Sequence, residues 1–110
     1  MSAKIDLYVP ADSEHQGTLN IEGNARIDGL FQGDLYCEGS IVIGTLGQVH
    51  GEVQCHRAEI SGTFKGQLQS FGTCILFQKA HFSGLLDTGR AHFHEGCTFR
   101  GELIIKGYTS

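Results

Sequence analysis

Ile27-Asp-Gly-Leu-Phe-Gln-Gly33 returns thirty-three residues later as Ile60-Ser-Gly-Thr-Phe-Lys-Gly66. At the same offset Leu35 falls on Leu68, Gly39 on Gly72, Ile43 on Leu76, Val49 on Phe82, Gly51 on Gly84, Val53 on Leu86 and Ala58 on Ala91. Apolar residues meet apolar residues and glycines meet glycines. A match sustained over some thirty positions is an internal repeat, and a repeat decides the architecture before any single element does.

From Leu19 the chain alternates. Leu19, Ile21, Gly23, Ala25, Ile27, Gly29, Phe31, Gly33, Leu35 and Cys37 are apolar or small, while Asn20, Glu22, Asn24, Arg26, Asp28, Gln32 and Asp34 lie between them. Period two means strands with one buried and one wet face. The run is far longer than one strand, so strands must follow each other round tight corners. No stretch has apolar residues at three- and four-residue spacing, so helices are not expected.

The marker Phe31-x-Gly33-x-Leu35 recurs as Val49-x-Gly51-x-Val53, Phe64-x-Gly66-x-Leu68, Phe82-x-Gly84-x-Leu86 and Phe99-x-Gly101-x-Leu103, in steps of 18, 15, 18 and 17 residues. A second marker, Ile43, Ile60, Leu76 and Phe93, steps by 17, 16 and 17. A unit of this length suits one coil of a β-solenoid with three short strands. The expected fold is therefore all-β: one parallel β-helix of five to six coils, with Phe31, Val49, Phe64, Phe82 and Phe99 in one interior column. Ile60 reaches Phe64 through three residues, whereas Ile43 reaches Val49 through five. Alternate coils thus turn one corner tightly and the next loosely, until the longer connector after Phe93 breaks the rhythm.

Residues 1–17 carry Asp6, Pro10, Asp12, Ser13, Glu14 and His15, and are expected as a flexible tail apart from a brief alternation at Lys4 to Val9. The β-helix is expected over 18–106 and a short C-terminal tail over 107–110. Too little chain follows Ile105 for a capping helix. Bare solenoid ends expose unpaired backbone and an apolar cross-section. They predict end-to-end association, with Leu19 and Ile21 at one end and Phe99, Leu103 and Ile105 at the other.

The bulk composition excludes several functions. Eight basic and twelve acidic residues, scattered singly for a net charge of -4, give no basic patch for nucleic acid. The apolar runs are too short to span a bilayer, and Met1 to Pro10 has no signal-peptide pattern, so the expected location is the cytoplasm. Cys37, Cys55, Cys74 and Cys97 form no CxxC pair and read as reduced, small core residues. His15, His50, His56, His81, His92 and His94 fall mostly on outward positions and carry no HExxH pattern. A site joining His81 or His94 to Cys97 is the metal alternative, and solvated rungs are the stronger reading. Asp28, Asp34, Glu52 and Glu102 share similar outward rungs and make no acid/base pair. Neither a GxSxG elbow nor a P-loop is present. No cofactor or catalytic residue is expected.

The glycine-spaced coils from Ile27-Asp-Gly-Leu-Phe-Gln-Gly33 through Val49-His-Gly51 resemble those of the bactofilins, over about Leu19 to Ile105. The resemblance implies a right-handed parallel β-helix that polymerises end to end without nucleotide, and Phe99 matches a terminal-coil phenylalanine that supports polymerisation. It implies filaments that scaffold cell-shape or envelope-synthesis proteins, with cell-wall or membrane-associated proteins as partners, in the cytoplasm or at the cytoplasmic face of the membrane. Met1 to Val9 does not match the membrane-targeting peptide of many members, which argues against direct membrane binding. The rival is a left-handed hexapeptide-repeat enzyme, an acyltransferase or metal-dependent hydratase. Ile43 to Val49 fits its spacing locally, but steps of 15 and 17 residues do not.

Overall fold

The structure, a computed structural model, describes residues 5–105. Among them the strands are β1 (Ile5–Val9), β2 (Glu14–Ile21), β3 (Asn24–Ile27), β4 (Leu30–Cys37), β5 (Ser40–Ile43), β6 (Gln48–Ile60), β7 (Thr63–Leu76), β8 (His81–Phe93) and β9 (Thr98–Ile105). Every pairing is parallel. Strands run in two tracks. The long track stacks β2, β4, the first halves of β6, β7 and β8, and then β9. The short track stacks β1, β3, β5 and the second halves of β6, β7 and β8. The result is a β-solenoid of about six turns with about 17 residues per turn.

The register places the markers as their spacing requires. Phe31 pairs with Val49, Val49 with Phe64, Phe64 with Phe82 and Phe82 with Phe99. Phe31, Val49, Phe64 and Phe82 are fully buried, and the Phe64–Phe82 and Phe82–Phe99 rings stack with centroids 5.0 and 5.1 Å apart. Ile27, Ile43, Ile60 and Leu76 fill a second column on the short track. Like residues superpose because each coil is bonded to the next along its whole length.

The stack begins earlier than the composition suggests. Ile5–Val9 pairs with β3 and Glu14–Ile21 with β4, so residues 5–17 belong to the solenoid and not to a flexible tail. Their polarity misleads because it is backbone pairing to β3 and β4 that orders them, and Asp12 and Ser13 lie in a turn closed by the Ser13 N–H donating to the Pro10 carbonyl at 3.0 Å. His15 is also misplaced by an outward reading. It pairs with Phe31 and stacks on it at 5.7 Å, so it heads the aromatic column. Residues 1–4, Lys106 and the expected tail 107–110 lie outside the described residues.

The opening motif turns out to be a corner nested inside another corner. Val9 to Glu14 and Ile43 to Gln48 make long corners, whereas Ile27 to Leu30 and Ile60 to Thr63 make short ones. Gly62 of the short corner sits so close to the loop below that a Cβ there would collide with the Gly44 and Gly47 carbonyl oxygens. Gly29 stands in the same relation to the Pro10 and Ser13 carbonyls. Those loops also accept hydrogen bonds: Leu30 N–H donates to Ser13 and Thr63 N–H to Gly47, both at 3.0 Å. Tight and loose corners alternate because one fits within the other.

The opposite corner, where the long track passes into the short one, is held by small donors. The Ser70 hydroxyl donates to the His56 and Thr73 carbonyls at 3.0 Å, and the Thr88 hydroxyl to the Arg90 carbonyl at 2.8 Å. The Cys37 thiol donates to the Gly23 carbonyl at 3.1 Å. Cys37, Cys55, Ser70 and Thr88 form one column in which only a small side chain fits and a donor satisfies the turn.

Burial pushes the Cys74 thiol up to about 12 and raises Cys55 as well, with Cys74 and Cys37 nearby adding to the latter. Since the thiolate is the reactive form, these two should resist alkylation. Half-buried Cys97, in the last corner, should react first. Maleimide labelling of native protein read by mass spectrometry should give a single early adduct at Cys97; equal labelling at Cys55 would contradict this packing.

Candidate polymerisation faces

The two ends of the stack are the chemically unusual surfaces. On the upper end, β9 and the Arg90–Phe93 segment of β8 have strand partners only below them among the described residues. Phe93, Leu103 and Ile105 occupy the same columns as Leu76, Leu86 and Thr88, which are buried. With no coil above them among the described residues, they are 43%, 39% and 56% exposed. Phe99 is half-buried, its ring clasped by Phe82 at 5.1 Å and Phe93 at 5.5 Å. An apolar cross-section of this kind is not ordinary surface scatter.

The lower end is made by β1 and β2. Leu7, Leu19 and Ile21 pack against the core but are only partly buried, and His15 lies over Phe31. Gly17 shows how open this end is. A Cβ on Gly33, Gly51, Gly66, Gly84 or Gly101 would strike the carbonyl oxygen of the column glycine one coil below, whereas one on Gly17 would meet nothing within 4 Å. Backbone edge and apolar face are thus exposed together at both ends.

Of the residues expected at the ends, the structure gathers Phe99, Leu103 and Ile105 on one face and Leu19 and Ile21 on the other, at opposite poles of the stack. Phe93, Leu7 and His15 join them and were not singled out. Phe93 was legible as the last member of its marker, and His15 from His15-Gln-Gly17-Thr-Leu19, which keeps the marker spacing with histidine in the apolar place. The repeat glycines Gly33, Gly51, Gly66, Gly84 and Gly101 shape the backbone. Their φ angles of 127 to 135° turn each coil while adjacent coils touch backbone to backbone. Among the described residues, no three His, Cys, Asp or Glu side chains converge as a metal group, and no helix is long and apolar enough to cross a membrane.

A parallel β-solenoid whose described residues leave apolar faces at both poles is the class of protein that the fold defines. The particular family follows from comparison: a model of the bactofilins, described as polymer-forming cytoskeletal proteins, matches residues 7–104, and the chain belongs to that family. Among solved structures it is similar to the bactofilin of Thermus thermophilus, determined by cryo-EM as double helical filaments. The identity is 31% and the TM-score 0.84, over 89% of this chain and 97% of the Thermus chain. No curated protein sequence matches the chain. These relationships make it a polymer-forming cytoskeletal protein and do not favour the hexapeptide-repeat enzyme.

Proposed function

We propose that this chain assembles end to end, without nucleotide, into homopolymeric filaments whose contacts are the two apolar poles. The observation that carries the reading is the exposure of Phe93, Leu103 and Ile105 in columns that are buried everywhere inside the stack. Joining two poles buries them and gives each edge strand a partner, so the interface reuses the interactions that hold the coil stack together. No substrate is needed to drive it. The filament is a non-enzymatic scaffold on which cell-shape or envelope-synthesis proteins gather, in the cytoplasm or along the cytoplasmic face of the membrane. The double helical filaments of the Thermus relative support assembly of this kind.

Negative-stain electron microscopy and sedimentation of purified protein in nucleotide-free buffer test the proposal. Long filaments that pellet across a range of salt are expected, because the contact is apolar. A monodisperse small particle under all these conditions would refute it.

A further inference from the structure

The column that holds Phe31, Val49, Phe64, Phe82 and Phe99 begins with a histidine. His15 pairs with Phe31 as Gly17 pairs with Gly33 and Leu19 with Leu35, so it takes an interior position that every later coil gives to an apolar side chain. Its ring lies flat on Phe31, with centroids 5.7 Å apart and planes 9° from parallel. Among the described residues β2 pairs only with β4, so the other face of the imidazole is turned toward the lower pole. The elements packed against β2 are β4 and β1. Their titratable groups Asp34, Tyr36 and Tyr8 fall on alternate positions, out of phase with the column, as does Glu14 on β2 itself. Cys37 shares the interior phase at the far end of β4, and Asp12 stands exposed in the turn before β2. Among the described histidines His15 alone enters an interior column: His50, His81 and His92 pair with Lys65, Thr63 and Ile75 at outward positions, and His56 and His94 are exposed at corners.

We propose that His15 makes the lower pole a pH-sensitive contact, closed when its imidazole is neutral and opened when the imidazole is protonated. The proposal rests on the filament reading and names how that contact is regulated. When a second copy joins the lower pole, it covers the outer face of His15 much as the next coil covers each interior phenylalanine. A neutral imidazole enters that place as one more flat ring in the column. The charged form loses its water there with no carboxylate in the interior phase to replace it, and burial disfavours charge. Imidazole is the side chain that ordinarily changes charge between pH 5 and 8. Closing the contact and holding the proton therefore exclude each other. The contact is at full strength on the alkaline side of that range and weakens as the pH falls through it, approaching about tenfold per pH unit on the acid side. Whichever pole of the second copy meets this one, the cost is the same in kind, and it doubles where two lower poles meet.

The experiment sediments purified protein at about pH 8 and about pH 5.5, which span most of the range where imidazole ordinarily titrates, and images both fractions by electron microscopy. The wild-type concentration left unpelleted should rise roughly tenfold at the lower pH, the effect of one imidazole that must stay neutral, and fall again when the pH is restored. His15→Phe extends the aromatic column and should form filaments equally at both pH values. His15→Lys carries its charge at both and should stay short even at about pH 8. His92→Gln alters an outward histidine of the last coil and should keep the wild-type response. Circular dichroism of the short Phe99→Arg variant should be the same at both pH values, which places the change in the contact. Wild-type filaments that ignore pH, a His15→Phe variant that still dissolves at the lower pH, long filaments from His15→Lys, or a solenoid that itself unfolds at about pH 5.5 would overturn the pH-sensitive contact while leaving end-to-end assembly intact. Absence of any wild-type filament at either pH would overturn the end-to-end reading, and this one with it.

Discussion

Phe99→Arg will leave the chain folded but short: small soluble species in place of filaments. Phe99 belongs to the top coil, where only one neighbouring coil supports it, and its ring is half-buried. In an isolated subunit an arginine there can lie along the apolar face and keep its guanidinium in water, so the solenoid beneath survives. In a filament the same guanidinium would be sealed between two apolar poles without a partner. Effective penalties for burying an unpaired ion are several kcal/mol, and about 4 kcal/mol would weaken each contact roughly a thousandfold. Ser83→Arg is the matched control, because Ser83 is an outward neighbour of Arg100 on the side of the stack and adds the same charge away from the poles. Sedimentation velocity and electron microscopy should show short species for Phe99→Arg and long filaments for Ser83→Arg. Unchanged filaments from Phe99→Arg would show that this pole is not a contact.

The poles were readable because they follow from register alone. Once Phe31, Val49, Phe64, Phe82 and Phe99 form a column, the last member has a coil on one side only among the described residues, and Leu103 and Ile105 go with it. The lower pole was read less well. Leu19 and Ile21 were found, but Leu7 and His15 were not, because Asp6, Pro10 and Asp12 interrupt the alternation that marks the other coils. What orders that first coil is hydrogen bonding to β3 and β4, an interaction between backbones that side-chain patterning does not report. The small column containing Ser70 and Thr88 shows a similar limit. Its size was apparent from sequence, while its role as a set of donors depends on where the His56, Thr73 and Arg90 carbonyls point.

Gly51→Ala will be strongly destabilising for a single added methyl, as will the same change at Gly84. Spacing suggests that the repeat glycines make room for bulky interior neighbours such as Val49 and Phe64. The structure gives another cause. Gly51 has φ 135°, a conformation that L side chains rarely adopt, and its Cβ would meet the Gly33 carbonyl oxygen of the coil below. Backbone strain of this kind costs about 1–3 kcal/mol, and overpacking against a neighbour that cannot move adds about 1–3 kcal/mol. The carbonyl at fault belongs to the stacked backbone, so relief requires the coils to part. Against a typical domain stability of about 5–15 kcal/mol, the sum removes a large share of what holds the stack together. Gly17→Ala separates the two causes. Gly17 shares the conformation, with φ 123°, but an added Cβ meets no atom within 4 Å, so it should incur the strain alone. Urea unfolding followed by circular dichroism, with both changes made in the short Phe99→Arg background, should place Gly51→Ala well below Gly17→Ala in midpoint. Equal midpoints would mean that conformation alone selects glycine. A larger loss at Gly51 would mean that the coils need glycine in order to touch, and that the open Gly17 is the mark of a stack that ends at a pole.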